Sequence, residues 1–380
     1  MRKKWAAMLL CAVLTIGLMS VPANAGQQEP PSLSAKSAIL IEPSGGLVLY
    51  EKDAQRRMPM ASTTKIMTAV LTLENAKLVD EVTVSDIVRT SEGSAMYLKV
   101  GEKITVQNLL YGLMLASGND AALVLAEHVG GDVDGFVKMM NDKARALGLR
   151  DTSFETPSGL DGENHYTTAA DFAKLTAYAL ENPEFCEIVG TQSIKVVTGE
   201  MTRYLKNHNR LLSTYEGCIG VKTGFTKKSG RCLVSAAERD GITLIAVTLS
   251  APDDWNDHKK LFDYGFTQVE RVDLLEQVDA SYTVRVTGGV RESIEARVPQ
   301  EYITVVKKGE AQNYRAVVEL PRFLYAPVAA GDCVGRVVLY NGQQIVREFE
   351  CVAAQSCEIP KSGFQKFIDK IRDLLFNILG

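Results

Sequence analysis

The sequence has no Cys-x-x-Cys pair, no His-Glu-x-x-His run and no Gly-x-Ser-x-Gly turn. Without paired Cys/His spacing there is no zinc site of the usual kind. Its four histidines, His128, His165, His208 and His258, are scattered. Neither a metal hydrolase nor a Ser-His-Asp hydrolase is therefore written in the chain, and no cofactor is expected. His165, in "DGENHYTT", reads as a structural loop residue near a site. There is also no basic excess, with 42 Lys and Arg against 46 Asp and Glu and a net charge of −4. A chain without surplus cations cannot neutralise a phosphate backbone, so no nucleic-acid partner is expected.

What remains is an ordinary globular composition, 46% hydrophobic and 23% charged over 380 residues, enough for two domains or one large one. The N-terminus differs. Arg2, Lys3 and Lys4 precede an apolar run from Trp5 to about Val21, then "PANA" offers small residues at Ala23 and Ala25. This reads as a signal peptide over residues 1–25, cleaved before Gly26, so export is expected. Cys11 follows Leu10 rather than a small residue, which argues against a lipoprotein site. Cleavage takes the net charge from −4 to −7 by removing three cations. Cys186, Cys218, Cys232, Cys333, Cys351 and Cys357 remain. Export permits disulfides without requiring them, so their pairing stays open.

Residues 26–34 read as a flexible leader. "SAILIEPSGGLVLY" (37–50) predicts a hairpin around Pro-Ser-Gly-Gly. From Ser62 to about Ala76, Ile66, Met67, Val70, Leu71 and Leu73 predict a helix. Residues 106–130 predict a helical region interrupted at "SGND", and 132–149 an amphipathic helix with a glycine stop. Residues 168–183 predict another, capped by Thr168 and ending near Pro183. "CIGVKTGF" (218–225) is strand-like, and 230–251 predict a hairpin turning at Asp240-Gly241.

After about residue 272 helical periodicity disappears. Alternation at 282–286 and 314–320, and runs 334–340 and 344–351 flanking Asn341-Gly342, predict a small all-β domain over 273–357. No residue set in it carries chemistry. Beyond Pro360, bulky residues from Phe364 to Leu379 recur at helical spacing with Lys366, Asp369, Lys370, Arg372 and Asp373 between them. The helix would be about 25 Å long at 1.5 Å per residue. It is short for a membrane span and too charged to bury all round. An amphipathic helix over 361–380 lying on a membrane surface is expected.

Chemistry enters at "ASTTK" (61–65). Ser62 and Lys65 stand three residues apart, so on a helix they share a face. Serine needs a base to act as a nucleophile. Lysine serves only when neutral, and in water at pH 7 roughly one in 2,500 is. Burial or a neighbouring cation must lower its pKa. "SGN" at Ser117–Asn119 adds a hydroxyl for proton relay and an amide for a substrate carbonyl. "KTG" at Lys222–Gly224 adds a cation and a hydroxyl for a carboxylate, and a glycine that lets a ligand approach the backbone. Each motif alone is weak: an exposed helix face, a turn and a strand end would look the same.

The three in this order form the set of penicillin-binding proteins and class A β-lactamases. The sequence resembles the low-molecular-mass penicillin-binding proteins, serine-type D-Ala-D-Ala carboxypeptidases. Residues 49–69, 97–129, 152–176, 220–241 and "DYGF" (263–266) carry the resemblance, which spans about 35–357. It implies an α+β fold, the penicillin-binding/β-lactamase-like transpeptidase fold with an antiparallel sheet flanked by helices. A catalytic domain over 35–272 would be followed by the small all-β domain. It further implies that Ser62 is acylated, Lys65 is the acylation base, Ser117 relays the proton, and Asn119 orients substrate and lysine. Lys222 and Thr223 would hold the substrate carboxylate on the strand carrying Gly224, with Lys222 helping to keep Lys65 neutral. The Ser62 N–H would supply half an oxyanion hole, with the other half near Thr226. The expected partners are peptidoglycan stem peptides, β-lactams as inhibitors, and the extracytoplasmic membrane surface.

Two departures stand out. Some relatives carry His after KTG, where this chain has Phe225, and some carry an arginine where "PDDWNDHKK" (252–260) has none. Carboxylate recognition is thereby in question, the acyl-enzyme chemistry not. A β-lactamase would need a deacylating glutamate in an ExxxN setting; Glu181 and Glu184 have no Asn four residues on. Endopeptidase action by the same site, and a non-catalytic β-lactam- or muropeptide-binding protein, are the other readings.

Overall fold

The computed structural model describes residues 29–379. The expected signal peptide lies outside them. The catalytic unit is built on a five-stranded antiparallel sheet in the order Leu47–Lys52, Ser37–Glu42, Ile242–Leu249, Gly230–Arg239, Cys218–Thr226. Both expected hairpins form. The Ser37–Glu42 strand also pairs with Ile242–Leu249, so the two ends of the unit close on each other.

The central strands read as continuous apolar runs because both sheet faces are covered. Along Gly230–Arg239, Val234 and Ala236 enter the core under the catalytic helices. Leu233 and Ala237 enter the core under the helix Asp254–Gln268. That last helix has weak apolar periodicity and was not legible in the sequence. Its apolar sheet-facing residues are Leu261, Phe262, Tyr264 and Gly265, and the other buried positions are polar, Asp254, Asp257 and His258. A Cβ on Gly265 would meet Leu40 Cδ2 at 2.5 Å, so the glycine sets how closely helix and sheet approach.

The segment 62–76 divides. Ala61–Thr64 is a 3-10 turn, and the α-helix runs Lys65–Asn75. It is buried from Lys65 through Thr72, nearly all round, as a core helix must be. Helices Val106–Met114 and Asn119–Gly130 flank the SGN break, and Val133–Ala146 follows. The helix expected to run to Pro183 ends at Ala179. Pro183 instead opens a new one, Pro183–Gly190, capped by Asn182, because proline is tolerated where a helix's first N–H has no partner anyway.

The C-terminal domain holds a six-stranded sheet in the order Tyr314–Glu319, Cys333–Asn341, Gln344–Ala353, Ser293–Arg297, Ser281–Thr287, Phe323–Tyr325. A two-stranded ribbon, Val269–Asp273 with Ile303–Lys307, links it to the catalytic unit, and Val305 packs into the core there. The final helix is Gly363–Leu379, with Phe364, Phe367, Ile368 and Ile371 exposed. Among the described residues no helix is long and apolar enough to cross a membrane. The six cysteines within the described residues are free thiols.

Candidate active site

Three elements converge on Ser62: the 3-10 turn that carries it, the SGN break, and the edge strand Cys218–Thr226. Ala61, just before Ser62, takes a left-handed backbone at φ 48°, and Ser117 does so at φ 56°. Non-glycine residues hold that conformation at a cost of about 1–3 kcal/mol, which surrounding contacts must offset. At Ala61 the contacts are visible. Thr64 Oγ1 donates to the Ala61 carbonyl at 2.8 Å, and His165 Nε2 lies 2.8 Å from Thr64 Oγ1. Glu155 N–H donates to His165 Nδ1 at 2.9 Å, so the proton of the neutral ring sits on Nε2 and is donated to Thr64. Burial lowers the His165 pKa to about 4, which keeps that tautomer neutral. Gly159 packs below with φ +88°; a Cβ there would fall 2.0 Å from the Ala61 carbonyl oxygen.

Lys65 is fully buried and makes three contacts through Nζ: Ser62 Oγ at 2.9 Å, Asn119 Oδ1 at 2.7 Å and the Ser158 carbonyl at 2.5 Å. Its pKa is pushed well below 10.5, first by burial and then by the Lys222 cation, against a smaller upward pull from Asp120. A neutral amine has two hydrogens and one lone pair. The Asn119 and Ser158 oxygens can take the hydrogens, which aims the lone pair at the Ser62 hydroxyl. The expected pairing of nucleophile and base is thus present as geometry, although Ser62 lies in a 3-10 turn rather than an α-helix.

Asn119 is held at both ends. Its Nδ2 donates to the Glu92 carbonyl at 2.5 Å, and its backbone N–H to the Ser94 carbonyl at 2.7 Å. Its neighbour Asp120 accepts from Met96 N–H and Leu98 N–H, both at 3.0 Å. The 92–98 loop is itself clamped by Arg203, which donates to the Met96 and Tyr97 carbonyls and pairs with Glu102 at 2.6 Å in a buried ion pair.

Lys222 is buried, with its pKa lowered to about 7 by that burial, and donates to the Thr223 carbonyl at 3.0 Å. Gly224 lies against the nucleophile turn: a Cβ there would stand 3.1 Å from the Ser62 and Thr63 nitrogens. The Thr226 side chain is engaged by its neighbours. Its Oγ1 donates to Asp161 Oδ1 at 3.0 Å and lies 2.6 Å from Ser229 Oγ.

The strand register determines which backbone N–H groups face the cleft. Arg231 pairs opposite Phe225, yet its carbonyl accepts from Ala251 N–H on the far side. In an antiparallel ladder, bonded and non-bonded pairs alternate. Phe225 and Thr223 therefore turn their backbone groups to the open edge, while Thr226 and Gly224 turn theirs to the neighbouring strand. The sequence expectation lay near Thr226, whose backbone groups face Gly230; the outward-turned N–H next to Gly224, the glycine packed on the Ser62 turn, is that of Phe225. Sequence reasoning missed the Ser158 carbonyl, and it placed His165 as a structural loop residue near the site without naming Thr64 as the group it braces.

Comparison with known proteins shows the family. A family model described as D-alanyl-D-alanine carboxypeptidase matches residues 24–253, and one described as the C-terminal domain of penicillin-binding protein 5 matches 270–358. The chain is 34% identical to D-alanyl-D-alanine carboxypeptidase DacF of Bacillus subtilis, over 95% of this chain and 97% of that protein. It is 34% identical to DacC of Escherichia coli, over 83% of each. Among solved structures, penicillin-binding protein 5 of Haemophilus influenzae superposes with a TM-score of 0.68 at 28% identity, covering 87% of this chain and 99% of that one. The Streptomyces K15 DD-transpeptidase gives 0.60 at 37% identity, covering 63% and 99%. A buried lysine poised on a serine, in a chain so related over nearly its whole length, belongs to the D-alanyl-D-alanine carboxypeptidase family of serine peptidases.

Proposed function

We propose that Ser62 is the residue acylated in the serine-type D-Ala-D-Ala carboxypeptidase reaction, with Lys65 as its base. The observation that carries this reading is the 2.9 Å contact between Lys65 Nζ and Ser62 Oγ, made by a fully buried lysine whose pKa is well below its ordinary value. The stem peptide lies along the open edge of Cys218–Thr226, its terminal carboxylate at Thr223 and the Lys222 cation. Lys65 takes the Ser62 proton as Oγ attacks the carbonyl between the two D-alanines. The developing oxyanion is held by the N–H groups of Ser62 and Phe225. Ser117 passes the proton to the departing D-alanine nitrogen, and Asn119 holds both Lys65 and the acyl carbonyl. Water then hydrolyses the ester, with Lys65 again accepting a proton. A β-lactam enters by the same attack and stays on Ser62.

The family acts on peptidoglycan peptides and binds β-lactams. To this we add export by residues 1–25 and attachment to the extracytoplasmic face of the cell membrane by the amphipathic 361–380 helix. Neither Glu181 nor Glu184 has an Asn four residues on, since Phe185 and Ile188 stand there, which supports a peptidase over a class A β-lactamase.

The test is free D-alanine released from a D-Ala-D-Ala peptide by the mature chain and by Ser62→Ala. Release that is lost in the variant and blocked by penicillin is expected. Penicillin labelling of Ser62 without release from any such peptide would instead make the chain a binding protein.

A further inference from the structure

Two exposed rings stand on the outermost strand of the C-terminal sheet. Phe323–Tyr325 terminates the strand order and pairs on one side only, in parallel with Ser281–Thr287. Phe323 is 46% exposed and Tyr325 71%, and their rings meet edge to face at 5.2 Å. An open edge strand is normally blunted with charge or proline, because a flat apolar edge invites association. Here Pro321, Arg322 and Pro327 flank a three-residue edge strand, and the two aromatic rings stand exposed between them.

The surroundings indicate the partner. Beyond Tyr325 the chain forms an antiparallel bridge between Val328 and Cys357, with hydrogen bonds of 2.9 and 2.8 Å, which sets it alongside the segment leaving the domain. Val290 N–H donates to the Glu358 carbonyl at 2.8 Å in the same place. Val290 is 60% exposed and Ile359 57%. Four large apolar side chains therefore gather at the end of the domain from which the chain departs. Only Pro360, Lys361 and Ser362 separate Ile359 from the helix Gly363–Leu379. At about 3.5 Å per residue, the helix starts within about 14 Å of Ile359. Any surface that receives the exposed Phe364, Phe367, Ile368 and Ile371 must lie close to this patch.

We propose that Phe323, Tyr325, Val290 and Ile359 form a second lipid-contacting surface, seated in the headgroup region of an anionic bilayer. The proposal rests on the reading of the terminal helix as membrane-associating. Aromatic rings favour the water–hydrocarbon boundary, where an apolar body and a polar tip are both satisfied. The exposed Arg285, which pairs with Phe323 across the strands, and Arg322 beside it supply cations for anionic headgroups. One amphipathic helix on a three-residue tether gives the domain a single point of attachment; a second contact on the sheet fixes its orientation.

The test uses the mature chain and vesicles of phosphatidylglycerol and phosphatidylethanolamine, read by co-sedimentation. The double variant Phe323→Ser/Tyr325→Ser alters only exposed positions, and an unchanged thermal unfolding profile checks that its β domain is folded. Its vesicle affinity is expected to fall about tenfold. In a separate Tyr325→Trp variant, the introduced indole is expected to be quenched by lipids brominated on the acyl chains. Wild-type affinity in the double variant together with an unquenched indole overturns the proposal. A tail variant, Phe367→Ser/Ile371→Ser, reports on the helix independently. If it binds as wild type while the ring variant does not, the helix reading fails and the patch stands. If the wild-type chain binds no vesicles, both fail. A lipid-free dimer that the ring variant dissolves would assign the patch to a second copy and overturn the lipid assignment.

Discussion

Lowering the pH should loosen the nucleophile turn through His165, and the effect can be sized. In the folded chain His165 accepts a hydrogen bond from Glu155 N–H at Nδ1 and braces Thr64 through Nε2, so a second proton has no place. Burial lowers its pKa to about 4, outweighing the upward pull of Glu155 and Asp161. The unfolded value is about 6.5. The folded pKa is depressed, so the unfolded state binds the proton first, and stability is lost as pH falls below 6.5, down to about 4. The whole gap is worth about 3 kcal/mol, and about 2 kcal/mol of it is lost between pH 7.5 and 5. His165→Gln keeps a donor for Thr64 but cannot titrate. Urea unfolding of both proteins at pH 7.5, 6 and 5 should show a shallower pH dependence in the variant by that amount. Parallel pH dependences, or an imidazole resonance of His165 titrating near 6.5 in the folded protein, would refute the reasoning.

Two further perturbations follow from contacts at the site. Gly224→Ala places a methyl 3.1 Å from the Ser62 and Thr63 nitrogens, so turn and strand must part by a few tenths of an ångström; kcat/KM for D-alanine release should fall on the order of a hundredfold while Tm changes little. Arg203→Met leaves Glu102 buried without its cation and should cost about 3–5 kcal/mol in urea unfolding, with slower acylation by penicillin because the 92–98 loop holds Asn119.

The local elements were largely readable. The 37–50 and 230–251 hairpins, the SGN break and the all-β character of the C-terminal domain follow from periodicity and turn residues, which act over a few neighbours. The helix Asp254–Gln268 was not, because one face of a charged segment packs on a sheet whose strands come from elsewhere in the sequence. The end of the 169–179 helix was misjudged for a simpler reason: Pro183 reads as a stop, and it is also a good start.

At the site, the residue types Ser62, Lys65, Ser117, Asn119 and Lys222 could be named from spacing and resemblance, since hydroxyl, amine and amide chemistry belongs to the side chain. The resemblance implied that Lys65 is the base, but spacing could not show its lowered pKa, which depends on the exclusion of water and on Lys222, brought in from another part of the chain. Backbone groups are the harder case. Every residue carries the same N–H and carbonyl, so nothing in the letters marks Ser158 as a lysine partner or Phe225 as a residue whose N–H turns to the open edge. Folding makes that choice, through a strand register that turns one N–H to the cleft and the next into the sheet.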